Sequence, residues 1–359
     1  MVHGSLSFPA VVPPSFPQPR TEMTWSTQRD YEVIASELIR SLRGKRSQAA
    51  FSRKLGYKSN IVNRWEAREA FPSASTFLAV VAGAHDKKRP SPLVRFFPRP
   101  PAELVALGPG SPLSVAVFLR ALRGKTPILT VAQESGYNRY SVSRWLAGSV
   151  ELRLPQFLHL IEVMSRRLLD FLACCTDPSR LPSVARDHER HALARETAYA
   201  QPWSHAVLRA LELEGAPKTD QPAWLADRLG APPAEVAAAL ALLEATGQVQ
   251  RRAGRYRLNQ VISVNTAHDP GRSHALKVSW TETALARLRA GAPGNYGYSV
   301  FSISAADLRR LRDVHLDYVR AMQAIIAASQ PGECVGLYCA QLLDLALTQN
   351  ALDTAPSGL

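Results

Sequence analysis

The sequence predicts a mainly α protein: two tandem helical bundles of helix-turn-helix type, then a winged helix, then a small α+β C-terminal domain. Three observations predict it. Two stretches about 80 residues apart are variants of one another, from Leu38 to Val81 and from Phe118 to Ile161. Aligned without a gap, they share Arg40/Arg120, the LRGK block at Leu42 to Lys45 and Leu122 to Lys125, Gly56-Tyr57/Gly136-Tyr137, Val62/Val142, Arg64-Trp65/Arg144-Trp145 and Phe77-Leu78/Phe157-Leu158. Within each copy the apolar residues recur at helical spacing. From His205 onward the pattern changes to helix, helix-turn-helix and a basic hairpin, the order of a winged helix.

In the first copy Thr27 is placed to cap a helix carrying Ile34, Leu38 and Leu42 on one face, and Gly44 ends it. A second helix is expected from Gln48 to Leu55, with Phe51 and Leu55 inward and Ser52 small where the two motif helices approach. Gly56 makes the corner, because a sharp turn favours a residue that tolerates positive φ. A third helix, Ser59 to Glu66, buries Val62 and Trp65 and leaves Ser59, Asn60, Asn63 and Arg64 on its other face. The second copy repeats the plan: Thr126 caps, Pro127 starts the helix, Val131 and Ala132 take the inward and small positions, and Gly136 turns. Val142 and Trp145 point inward, while Asn138, Arg139, Tyr140, Ser143 and Arg144 face out. Ser135 stands where the first copy has Leu55, which predicts a looser second unit.

Those outward residues suit base reading. Arg can hold guanine O6 and N7 with two parallel hydrogen bonds, and Asn can do the same for adenine N6 and N7. Arg64, Arg144 and Asn60 are the leading candidates. Arg43, Lys45 and Gln48, with Arg123 and Lys125, lie at helix starts and the preceding turn, where side chains hold phosphates and fix register. The alternative for any single one of them is an ordinary solvated helix face.

Both copies resemble the Cro/repressor-type helix-turn-helix of bacterial and phage regulators. The likeness rests on Gln48-x-x-Phe51-Ser52-x-x-Leu55-Gly56 followed by Val62-x-x-Trp65-Glu66, and covers about 28–85 and 111–172. It implies compact repressor-like bundles of about five helices with the third helix in the major groove of double-stranded DNA. The second copy departs from the pattern: Leu146 replaces the Glu after Trp, and Ile128 replaces the helix-start Gln. A covalent tandem of such units reads as a built-in pseudo-dimer whose unlike recognition helices favour an asymmetric target.

The expected organisation is a disordered Pro-rich tail at 1–27, helix-turn-helix domains at 28–88 and 111–175 joined by a linker at 89–110, a connector at 176–200, a winged helix at 201–262, and a regulatory or dimerisation domain at 263–350. Met23, just before the ordered pattern, is a second candidate start. The basic aromatic run Lys87 to Pro101 reads as a semi-rigid spacer or as a linker that follows the DNA backbone. The winged helix offers Glu235, Glu244, Ala and Leu on its candidate recognition helix, Pro233 to Thr246, so it is expected to pack on protein. Its wing residues Arg251 and Arg252, with Arg255 and Arg257, are candidates for phosphate contact. Farther on come a short strand pattern, Tyr298 to Ile303, and a helix capped by Ser304. That helix, about Ala305 to Ser329, carries a stripe of Leu308, Leu311, Val314 (or His315), Tyr318, Met322 and Ile325, which forms core or a dimer seam. An apolar segment at 334–347 follows.

The span from Trp203 to about Leu347 resembles the C-terminal half of an uncharacterised family of bacterial regulators, a domain of unknown function. The likeness lies in Trp203-Ser204-His205, Trp224-Leu225-Ala226, Leu242 to Gly247, and Ser299 to Ser304 followed by the long helix. Where that family often closes on Phe-Pro, this chain has Leu342-Leu343-Asp344-Leu345-Ala346. The likeness implies regulation and names no ligand.

Composition agrees with a polyanionic partner. The net charge is +13, and residues 1–180 hold 25 Lys+Arg against 13 Asp+Glu, whereas 181–359 hold 18 against 17. The surplus therefore sits on the half that carries the repeats. Four cysteines, Cys174, Cys175, Cys334 and Cys339, have no metal-ligand spacing and read as buried thiols in a reducing cytoplasm. The His188-Glu189-Arg190-His191 run fails the zinc-protease spacing, since Ala192 stands where the second His belongs. No phosphate-binding Gly-x-x-x-x-Gly-Lys loop, no Gly-x-Ser-x-Gly elbow, no membrane-spanning run and no signal peptide is recognisable. The expectation is thus a cytoplasmic, sequence-specific DNA-binding transcription regulator without cofactor, metal or catalytic activity. A homodimer through the C-terminal half, and an unknown signal or protein partner, stay open. The rival readings are a protein-interaction adaptor of antitoxin or defence type, and a small-molecule receptor or enzyme centred on the C-terminal domain.

Overall fold

The computed structural model describes residues 29–84, 90–97, 100–108, 110–215, 217, 221–259, 264–266, 269–329 and 331–345. Thr27, Met23, the tail at 1–27 and the last residues of the 334–347 segment lie outside them. The fold is mainly α. Among the described residues the strands are confined to one hairpin, and no helix is long and apolar enough to cross a membrane.

The first unit comprises α1 (Tyr31–Arg43), α2 (Gln48–Lys54), α3 (Ile61–Glu66) and α4 (Ala74–Ala84). Ile34, Leu38 and Leu42 are buried as their spacing requires, and Gly44, at φ +61, releases the chain from α1. Two short helices follow, α5 (Pro92–Arg95) and α6 (Ala102–Ala106). The second unit repeats the first as α7 (Pro112–Arg123), α8 (Ile128–Ser135), α9 (Arg139–Ala147) and α10 (Leu154–Ser165), and adds α11 (Leu168–Cys175).

The described part of the run expected as a spacer contributes to the core instead. Leu93, Phe96 and Leu104 are each 3 % exposed or less. Phe96 packs edge-on against Phe118, at 5.4 Å between ring centroids, and Phe118 lies 5.8 Å from Phe157 and 5.9 Å from Phe171. Burying four phenyl rings outweighs the chain entropy that a free linker would keep. One continuous apolar cluster runs from Ile34 to Val184.

The two units are related by an approximate twofold axis. Residue n of the first corresponds to n+80 of the second, so Ser73 and Arg153 are equivalent, and they pair with each other as an isolated antiparallel bridge. Ala74 N–H donates to the Leu152 carbonyl and Leu154 N–H to the Pro72 carbonyl, both at 3.0 Å. Exchanging the units converts one bond into the other. Helix packing obeys the same exchange: α1 lies on α10, and its counterpart α7 lies on α4. A self-complementary contact of this kind is what a twofold dimer makes, here within one chain. Side chains depart from the symmetry: Tyr31 stacks on His159 at 4.5 Å, and the exchanged positions hold Ser111 and Ala79.

A nineteen-residue helix, α12 (Pro182–Ala200), connects this core to the rest and carries the His188–His191 run. Its first turn donates Ser183 N–H and Oγ–H to the Glu37 carboxylate, a favourable place for negative charge. Beyond it α13 (Trp203–Leu211), α14 (Gln221–Leu229) and α15 (Pro233–Ala245) enclose a second apolar cluster with the hairpin β1 (Val249–Arg252) and β2 (Arg255–Leu258). This is the expected winged-helix order. Ala253 and Gly254 both take positive φ, the conformation of a two-residue turn matched to strand twist.

A helix not anticipated from the sequence follows, α16 (Pro270–Arg289). Asp269 caps it through Oδ1, which accepts from Arg272 N–H at 3.0 Å, and Pro270 fills the first turn, a start signal that was present in the sequence. The last helix, α17 (Ala305–Ala328), starts at the Ser304 cap as expected. Its stripe is not core, however: Leu311, Val314, Tyr318 and Ile325 are 37 to 72 % exposed. The strand expected at Tyr298 to Ile303 is absent too. That segment runs without a ladder partner, and Tyr298 is 96 % exposed. Alternation of side chains specifies a strand only where a neighbouring edge exists to pair with it.

Candidate nucleic-acid interface

In the first unit Ser47 caps α2, its Oγ accepting from Ala50 N–H at 3.2 Å. The angle between α2 and α3 is held by Ser52, which is buried: its Oγ accepts from Val62 N–H at 3.1 Å and donates to Asn60 Oδ1 at 3.2 Å. A larger residue at 52 would separate the helices. Gly56 takes φ +85 with open space around its Cβ position, so conformation alone selects glycine there. Tyr57 then lies edge-on to Trp65 at 5.6 Å. Val62 and Trp65 are buried, and Asn63 and Arg64 are exposed as expected. Ser59 and Asn60 are exposed as well but precede α3, which begins at Ile61. Asn60 therefore reaches outward from a helix entrance, steadied by Ser52. Arg64 Nε lies 3.6 Å from Glu69 Oε2, both more than half exposed, a contact too weak to immobilise it.

In the second unit Ala132 replaces Ser52, and α9 begins earlier. Asn138 caps it, Oδ1 accepting from Tyr140 N–H at 2.8 Å. Arg139, Tyr140, Ser143 and Arg144 are exposed, Tyr140 at 79 %. Thr126 does not cap α8. Pro127 occupies the cap position with an extended backbone, φ −59 and ψ 142, and the Thr126 carbonyl accepts from Arg123 Nη1 at 2.8 Å. Ser135, in the place of Leu55, is accommodated by hydrogen bonds. It is buried, donates to the Ala132 carbonyl and accepts from Tyr137 N–H, both at 3.4 Å.

The residues expected to hold phosphates divide into two groups. Arg43 and Gln48 turn toward Glu66, which is buried at the end of α3. Arg43 Nε donates to Glu66 Oε1 at 2.6 Å and Nη2 to Oε2 at 3.2 Å, while Gln48 Nε2 donates to Oε2 at 2.9 Å. Arg40 Nε is 3.8 Å away. Burial by itself would raise the Glu66 pKa, but the hydrogen bonds from Arg43 and Gln48 and the two guanidinium charges outweigh it and hold it below the usual carboxylate range. In the second unit the whole constellation changes together: Leu146 replaces Glu66 and Ile128 replaces Gln48. Arg123 bonds a carbonyl and keeps a buried Nε without a partner, and Arg120 Nη1 donates to the Leu146 carbonyl at 2.8 Å. Glu66 is the positioning residue that sequence reasoning missed, and the paired change Glu66/Leu146 with Gln48/Ile128 was the signal for it. Lys45 is exposed. Lys125 is exposed too, with Nζ 3.3 Å from Asp317 Oδ2 of α17. On the wing Arg251 lies over the Tyr256 ring at 5.6 Å, and Arg252 Nε donates to Gln250 Oε1 at 3.0 Å, both side chains reaching solvent.

None of the four cysteines is in a disulfide. Cys175 is fully buried, its thiol pKa pushed well up by burial, whereas Cys334 is exposed, contrary to the expectation of four buried thiols.

Residues 185–342 match the family described as Domain of unknown function (DUF4423). The match begins inside α12, ahead of the residues that carried the resemblance in the sequence, and takes in the three-helix-and-hairpin unit, α16 and α17. No curated protein and no solved structure matches the chain.

Proposed function

We propose that this protein is a cytoplasmic, sequence-specific DNA-binding transcription regulator in which the two helical units act as a covalent pseudo-dimer of Cro/repressor-type helix-turn-helix domains. The observation that supports the reading is the reciprocal pairing at Ser73 and Arg153, a self-complementary contact of the kind two subunits of a twofold dimer make. Twofold-related helices address successive major grooves about one helical turn apart. Their exposed faces differ: Ser59, Asn60, Asn63 and Arg64 on one, Asn138, Arg139, Tyr140, Ser143 and Arg144 on the other. Only the Arg64/Arg144 position is identical, so the site has two unlike halves around one shared feature. Lys45 and Lys125 follow the phosphates, whereas Arg43 and Gln48 hold the end of α3 through Glu66 and Arg123 holds the turn before α8 through the Thr126 carbonyl. The winged-helix unit and α17 supply regulation or self-association.

The reading is tested by selecting bound fragments from random DNA at about 150 mM salt, with wild type beside Arg64→Ala/Arg144→Ala. A discrete motif that degrades in the variant supports it. No enrichment, or enrichment indifferent to both arginines, would turn the units into a protein-interaction surface.

A further inference from the structure

A cleft of about 410 Å³ lies where α13, the end of α14, α16 and the segment 335–337 meet, within the size range of small-molecule sites. Its apolar wall is a pair of half-buried indoles, Trp203 and Trp280, set edge-to-face at 5.5 Å and 64°. Its polar wall is cationic. Arg209, Arg228 and Arg287 line it from three different helices, and among the described residues no aspartate or glutamate does.

Two of these guanidiniums are anchored by carbonyls. Arg228 Nη2 donates to the Glu333 carbonyl. Arg287 Nη2 donates to the Leu229 carbonyl and, at 2.9 Å, to that of Gly230. Gly230 is needed for this approach, since a Cβ there would come within 2.9 Å of the guanidinium. A carbonyl bond fixes one edge of an arginine and leaves further N–H donors for a ligand. Arg209 pairs with Glu212 at 2.8 Å on the exposed side of α13. His205 also faces the cleft. Burial, with the charge of Arg209, holds its pKa below the ordinary imidazole value, so near neutral pH it both donates and accepts without adding charge.

We propose that this cleft binds an amphipathic aromatic anion, its flat apolar body against Trp203 and Trp280 and its carboxylate, sulfonate or phosphate group held by Arg209, Arg228 and Arg287. Guanidiniums bind such groups through paired charge-assisted hydrogen bonds, and half-exposed indoles supply stacking area at low entropic cost. The site is independent of DNA binding, and its test needs no DNA.

The experiment titrates the full chain with 8-anilinonaphthalene-1-sulfonate, by fluorescence and calorimetry, beside the neutral N-phenyl-1-naphthylamine, which has the same rings and no acid. One saturable site per chain is expected, with the sulfonate bound at least about tenfold tighter than the amine, the value of one charge-assisted contact. Arg209→Gln and Arg228→Gln should each weaken the sulfonate about five- to tenfold and leave the amine unchanged. Trp280→Leu should weaken both. Arg209 is exposed, so its variant keeps the test valid should Arg228→Gln perturb folding, which far-UV circular dichroism reports. No binding, unsaturable binding, equal affinity for the two probes, or indifference to Arg209→Gln would each overturn the proposal.

Discussion

Replacing Glu66 by leucine, the residue at the same place in the second unit, isolates what the Arg43–Glu66–Gln48 network contributes. Glu66 is buried and accepts three hydrogen bonds, at 2.6, 2.9 and 3.2 Å. Removing one partner of a buried ion pair costs about 3–5 kcal/mol when the other stays sealed from water. The Arg43 side chain is 19 % exposed, so it recovers part of its hydration, and leucine recovers some packing. The expected loss is therefore about 2–3 kcal/mol, or roughly 4–12 °C in Tm for a core of this size. Adding Gln48→Ile should restore at least half of it by completing the arrangement of the second unit, a coupling that two distant sites would not show. The assay is urea denaturation by circular dichroism, with hydrogen exchange at α3. The pH profile supplies the sign. A carboxylate whose folded pKa is depressed stabilises above its unfolded value and loses that contribution as pH falls through the folded one. Wild type should therefore lose more stability than Glu66→Leu as pH drops below about 4. A variant as stable as wild type, or one that Gln48→Ile does not rescue, would refute the reasoning.

Phe118→Ala should cost about 3–5 kcal/mol and loosen α4 as well as α7 in hydrogen exchange, since α7 packs on α4 of the first unit within one continuous apolar cluster; loosening confined to the second unit would contradict one shared core. Gly136→Ala should cost about 1–2 kcal/mol from the left-handed backbone alone, because open space surrounds its Cβ position at φ +68; a larger loss in the melting curve would mean a hidden contact. Burial depresses the His159 pKa, with Glu162 opposing, so stability present above about pH 6.5 should fall on acidification as the unfolded chain takes up the proton more readily. His159→Phe should flatten that part of the melting-temperature profile. DNA affinity should fall with salt at a log–log slope of roughly −5 to −7, reporting about six to eight phosphates; a slope near zero in a filter-binding series would exclude the electrostatic contacts assigned to Lys45 and Lys125.

Local order was legible wherever the spacing of apolar residues or a glycine determined it. Ile34, Leu38 and Leu42, the Val62/Trp65 and Val142/Trp145 pairs, and the turns at Gly56 and Gly136 all took their expected places. Long-range association was not. Phe96 lies among prolines and basic residues that read as a spacer, and the distant phenyl rings at 118 and 171 make it core. Arg43 ends α1 and Gln48 begins α2, polar residues that read as surface until Glu66, a helix away, is seen to be buried beside them. The strand expected at Tyr298 to Ile303 failed in the opposite way, a sound local pattern without a pairing edge.

The central claim is that one chain carries both halves of a twofold DNA-reading device. The most direct test is fragment selection with Arg64→Ala and Arg144→Ala made separately. Each variant should lose information from one half of a bipartite motif and leave the other half intact, with half-site centres about 10 base pairs apart. Variants that erode the same bases, or a motif with a single half, would contradict it.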